Sequence, residues 1–234
     1  MEVMGVEKVL LVGSCIGALA MIAYSIHAIG SVEDKVFQII GGILLSFTSL
    51  RYITLLIYAY STNLRWIVSM RYFYYASSIG ITMLTALAVW YVMPFLKKGI
   101  KLVYYLLCFL PWNLFYLYII VKQPTCLVEN SAYGYELLLV SPFERYLSIA
   151  QGSFIGVMTI LCVIGIFKYK HPQIRTQLLM ILLAQGLLVI DGIASGDERI
   201  LLFKLFTVTE AFALAVTGHI VGNGLKQIHA IKNQ

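Results

Sequence analysis

Charged residues are scarce in this chain. Asp, Glu, Lys and Arg together make up 12% of its 234 residues, about half of the roughly 25% of an ordinary soluble domain. With 60% of the residues apolar, too few polar side chains remain to cover a water-exposed globule. That balance excludes a soluble enzyme or a nucleic-acid binder, despite a net charge of +6. Cysteine is equally sparse: Cys15, Cys108, Cys126 and Cys162, with no CxxC pair and three of the four inside apolar runs. No metal centre, disulfide framework or cofactor site is expected from them. HExxH, GxSxG, P-loop and paired catalytic carboxylate patterns are all missing, so the expectation is a protein without enzymatic activity.

What the sequence has instead is long apolar runs. A helix needs about 20 apolar residues to cross the bilayer core, and seven stretches meet or approach that length. They are Val9–Ile29, Val36–Tyr60, Trp66–Met93, Ile100–Val121, Tyr146–Phe167, Leu178–Ala194 and Leu201–Gly222. Continuous runs of this kind are unlike the short alternating strands of a β-barrel. The expected fold is therefore an all-α bundle of seven transmembrane helices, residues 1–234 forming one domain in the cell membrane. The first run follows an acidic N-terminus and shows no cleavage signal, so it reads as a retained helix. Most connections are tight, and MPFLKKG and KYKHPQ end the third and fifth helices at proline. The one long connection, 122–145, is rich in turn residues and aromatics and is expected to fold over the bundle.

Orientation follows from charge. With the N-terminus outside, the inner segments hold Lys35, Lys97, Lys98, Lys101, Lys168, Lys170, Arg175, Lys226 and Lys232, nine cations. The outer segments hold five: Lys8, Arg65, Lys122, Arg145 and Arg199. Basic loops stay on the cytoplasmic side, which gives N-out, C-in.

Five ionisable residues fall inside the spans: Arg51, Arg71, Asp191, Lys204 and Glu210. Charge in hydrocarbon is costly and marks a partner, a cavity or a site. Lys204 lies close enough to the outer surface to snorkel, whereas Glu210 is near midplane and needs a cationic partner such as Arg71 or Arg51, or a proton. In the third helix Arg71, Tyr75, Ser78, Thr82 and Thr85 are spaced by four, three, four and three, which puts them on one helical face. That face is either glue between helices or the wall of a pocket. The candidate ligand-binding residues are Arg51, Arg71, Tyr75, Asp191 and Glu210, with an anionic ligand group meeting one of the arginines.

MRYFYYASSI opening the third helix, LLCFLPWNLFYLYIIV in the fourth, YGYE at Tyr133–Glu136 and QIRTQLLMILL at the sixth resemble the seven-transmembrane N-terminal sensor region of bacterial histidine kinases. The resemblance covers residues 66–185. It implies a membrane sensor or receptor that takes a small or lipid-like ligand in its outer half and signals to a cytoplasmic partner, with the lipid bilayer around it and no nucleic acid. The alternative is a small-molecule transporter of three-plus-one-plus-three helices, since GSCIGALAMI at Gly13–Ile22 is similar to GSFIGVMTIL at Gly152–Leu161. The topology is directly testable. Reporter fusions after Lys98 and after Lys170 should both read cytoplasmic, and an external signal at both sites overturns the orientation.

Overall fold

A computed structural model of the chain describes residues 6–30, 34–130, 134–194 and Val216. The expected seventh span, Leu201–Gly222, with Lys204 and Glu210, lies outside these residues apart from Val216. The described chain is mostly helical. Its helices are α1 (Val6–Gly30), α2 (Lys35–Tyr60), α3 (Leu64–Tyr74), α4 (Ala76–Val92), α5 (Pro94–Gly99), α6 (Leu102–Leu107), α7 (Leu110–Lys122), α8 (Phe143–Lys168) and α9 (Pro172–Ala194). Two strands, β1 (Thr125–Asn130) and β2 (Gly134–Leu139), pair antiparallel between α7 and α8.

Among the described residues, four helical stretches are long and apolar enough to cross a membrane: Lys8–Gly30, Lys35–Tyr60, Leu64–Val92 and Phe143–Lys168. The chain thus has the character of a helical membrane protein. Many of its large apolar side chains point outward, among them Ile16, Ile39, Ile160 and Phe167. In water such a surface would be an aggregation hazard, whereas against lipid tails it is the stable arrangement.

One stretch is different. In Leu64–Val92, 78% of the most apolar window is buried, against 28%, 33% and 22% in the other three. From Leu84 to Met93 every residue is buried, so this part of α4 is enclosed all round. It packs most extensively on α2 and also touches α3, α5, α6, α7, α8 and α9. Thr82 and Thr85 of its polar stripe are buried and Ser78 is half-buried, but from Leu84 onward burial does not select a single face.

The packing of α1 on α2, and of α2 on α4, follows helical spacing. On α1 the buried residues are Leu11, Cys15, Ala18, Ile22, Ser25 and Ile29, and on α2 they include Phe37, Gly41, Leu44, Thr48, Arg51, Thr54 and Tyr58. Both series advance by threes and fours, the period that keeps one stripe of a helix turned to its neighbour. Asp34 starts α2 by accepting hydrogen bonds from the Val36 and Phe37 amides, as an N-cap carboxylate does. At the crossing of α2 and α4, Gly80 lets the backbones meet. A Cβ there would lie 2.7 Å from the Leu44 carbonyl oxygen and 2.8 Å from the Thr48 nitrogen.

Several expected boundaries are corrected. The third span is not one straight helix but α3 and α4, broken at Tyr75. There the Ser78 amide reaches back only three residues to the Tyr75 carbonyl, while the Ser77 hydroxyl takes the Tyr74 carbonyl, a local bond that competes with the helical ladder. The fourth span is also two pieces, α6 and α7. Pro111 has no amide proton to give to the carbonyl four residues before it. The chain tightens instead, Cys108 bonding to Tyr105 and Phe109 to Leu106. The connection 122–145 carries a short β-hairpin within an otherwise helical fold that fits the expected all-α class, and α8 starts at Phe143, three residues before the expected Tyr146.

The α2–α4 crossing makes a prediction. Gly80→Ala has backbone, not a flexible side-chain tip, in the way, and overpacking of this kind costs about 1–3 kcal/mol. Gly42→Ala, with open space at its Cβ position, should leave the unfolding temperature of the detergent-purified protein unchanged while Gly80→Ala lowers it.

Candidate functional site

The hairpin turns one end of the bundle into a covered floor. Tyr135, Leu137 and Leu139 alternate along β2, and with Leu127 of β1 they pack on Tyr58, Ile67, Tyr75 and Ile119. Leu127 faces Leu137 in the register, while Val128 and Leu138 on the other face are exposed. Alternation of this kind is what a strand with one wet face shows. Gly134, at φ +106°, sits against the Tyr58 carbonyl group and 3.2 Å, by its missing Cβ, from the Ala59 Cα. A side chain there would push the hairpin off the end of α2.

Beneath this cover lies a cluster of arginine and tyrosine. Arg51 falls on the buried stripe of α2 and is 9% exposed. Its Nη2 donates to the Tyr74 hydroxyl at 3.3 Å, and its guanidinium carbon sits 4.8 Å from the centre of the Tyr74 ring. Tyr74 stacks on Tyr58 with centroids 6.4 Å apart and meets Tyr75 edge-on at 5.0 Å. A cation over an aromatic face is worth about 2 kcal/mol when desolvated, which helps Arg51 remain in apolar surroundings. Arg71 is half-buried, near the Tyr72 ring at 5.7 Å and within electrostatic range of the Tyr58 hydroxyl. Gln123, in the left-handed conformation that ends α7, donates to the Ile120 carbonyl at 2.8 Å and reaches the Arg71 carbonyl at 3.5 Å.

Among the buried polar atoms of the cluster, the Tyr58 hydroxyl and the Arg71 Nε make no hydrogen bond. Buried polar groups are nearly always satisfied, so both stand out. The cluster presents guanidinium and phenol donors, a chemistry suited to an anion.

The structure brings together three of the five expected residues, Arg51, Arg71 and Tyr75. Asp191 lies in the last turn of α9, but its side chain is outside the described residues, as is Glu210 altogether. Tyr58 and Tyr74 were not among the expected site residues. Tyr58 is seven residues from Arg51, two turns along the same face of α2, and that spacing was the signal for it. No protein-family model matches the chain, and no curated protein does. The function must be argued from the site itself.

The two tyrosines separate by mutation. Tyr74→Phe removes the acceptor of the Arg51 hydrogen bond and should lower stability by about 1.5 kcal/mol, the low end for a bond to a charged group. Tyr58→Phe deletes a hydroxyl that bonds to nothing and should leave stability level or raise it. Chemical denaturation of the two variants in detergent checks the contrast.

Proposed function

We propose that the protein is a seven-helix membrane sensor or receptor, N-terminus outside, that binds a small or lipid-like ligand through an anionic group at the Arg51–Arg71–Tyr58 cluster. The observation that carries this reading is the pair of unmade hydrogen bonds, at the Arg71 Nε and the Tyr58 hydroxyl, beneath the hairpin. A ligand carboxylate or phosphate would complete both. The placement of charge supports the orientation. The hairpin lies at the start of α8, and Lys168, Lys170 and Arg175 at its far end, with Lys97 and Lys98 of α5 at the same far end as Lys168. That basic end would face the cytoplasm and the hairpin the outside.

Signalling requires that the ligand bind one arrangement of the helices better than another. The broken spans supply candidate joints: Tyr75 between α3 and α4 touches the cluster directly, and the Cys108–Phe109 break separates α6 from α7. The resemblance of residues 66–185 to histidine-kinase sensor regions agrees with an output on the cytoplasmic side.

A thermal-stabilisation screen of carboxylate and phosphate amphiphiles on the detergent-purified protein tests the reading, since a ligand that binds only the folded state raises its stability. The expected result is saturable stabilisation that Arg71→Met abolishes, with no ligand flux in proteoliposomes. Stabilisation unchanged in Arg71→Met would remove the site, and flux would favour the transporter.

A further inference from the structure

A second candidate site lies outside this cluster, on the outward surface where α2 meets α3. A groove of about 430 Å³ is lined there by Ile53, Leu56, Ile57, Tyr60, Ser61 and Trp66. The volume falls in the range of small-ligand sites, roughly 300–1,000 Å³. Its floor is one face of α2: positions 53, 56, 57 and 60 are spaced as neighbours along a helix. The groove therefore runs lengthwise on a membrane-spanning helix and opens towards that helix's end. Ile53 along its length is exposed, as are Tyr60 and Trp66 near the end.

The two ends of the groove differ in chemistry. Along the helix it offers only aliphatic side chains. At its end Tyr60 and Trp66 have the amphipathic rings that settle at headgroup level, and the Lys8 ammonium from α1 lies 4.7 Å over the Tyr60 ring. Ser61 accepts from the Asn63 amide at 3.2 Å, which leaves its own proton available to donate. A cation and a hydroxyl at the mouth of an apolar channel match one kind of ligand, a molecule with a hydrocarbon chain and an anionic head. A sugar or a peptide would strand its polar groups along Ile53, Leu56 and Ile57.

We propose that this groove is a binding site for an anionic phospholipid of the surrounding bilayer, with an acyl chain along α2 and the headgroup phosphate at Lys8 and Ser61. The site is independent of the arginine–tyrosine cluster, because none of its lining residues belongs to that cluster.

Trp66 lines the groove and reports on it. The protein is reconstituted in phosphatidylcholine vesicles containing phosphatidylglycerol, with one or the other lipid brominated in its chains. The signal is the tryptophan quenching that disappears in Trp66→Phe. Brominated phosphatidylglycerol should reach half-maximal quenching at a mole fraction roughly fivefold lower than brominated phosphatidylcholine, the equivalent of about 1 kcal/mol for one lysine near anionic lipid. Lys8→Gln should erase that preference, Lys8→Arg should keep it, and Ile53→Phe should weaken quenching by both lipids by filling the groove. Arg71→Met should leave the preference intact, which keeps this site separate from the receptor reading. Equal quenching by the two lipids in the unmodified protein overturns the proposal, and so does a preference that survives Lys8→Gln. Quenching that falls as protein-to-lipid ratio rises would assign the groove to a second copy of the chain and overturn it as well.

Discussion

The close approach of α2 and α4 is the constraint on which the described bundle rests. At Gly80 the second helix comes within van der Waals range of backbone atoms of the first, a distance that only a residue without a side chain permits. Because lipid tails are as apolar as leucine, burial alone does not drive helices together in a membrane, and close packing through small residues takes its place. With α4 held against α2, its other sides are available to the remaining helices, and from Leu84 to Met93 they are fully occupied. The stripe of α2 that carries Gly41, Leu44 and Thr48 onto this crossing also carries Arg51 into the interior. The packing seam and the charged site are thus consecutive parts of one helical face.

The cluster at Arg51 shows how a cation is kept there. Its guanidinium lies against an aromatic ring and a phenol oxygen of Tyr74. The hairpin then covers the site with the alternate residues of β2. Its depth is set by Gly134, which rests on the main chain at the end of α2. A loop would leave this end of the bundle open to solvent. A hairpin with one apolar face shields it while its two strands pair their facing amides and carbonyls with each other.

Much of this was legible in the residues. Long apolar runs gave the helices, and the proline in KYKHPQ starts α9 where the chain turns. Arg51 and Arg71 stood out because ionisable residues are rare in such runs. Other features were present but masked by stronger signals. Tyr135, Leu137 and Leu139 alternate as a strand requires, yet turn residues on both sides made the segment read as a loop. Pro111 announced a break in the fourth span, but the surrounding aromatics kept the hydropathy continuous. The break at Tyr75 had no proline or glycine to mark it, since it depends on a serine hydroxyl competing for a carbonyl. The enclosure of α4 is a property of tertiary arrangement and cannot be read from its own periodicity, because a helix buried on every side has no polar face to reveal it.

That enclosure bears on how the protein is made. The α3–α4 stretch is the least apolar of the four candidate spans, with mean hydropathy 1.4 against 2.2, 1.7 and 2.1. It emerges from the ribosome after α1 and α2 and before α8 and α9, which later cover part of it. During that interval Thr82 and Thr85 face whatever surrounds the nascent chain. The crossing at Gly80 involves α2, a helix already synthesised, so the weakest span can dock on an earlier partner as it enters the bilayer. Its retention in the membrane then depends on order of synthesis as well as on its own composition, and a chain rearranged to place α2 last would lose that support at the moment it is needed.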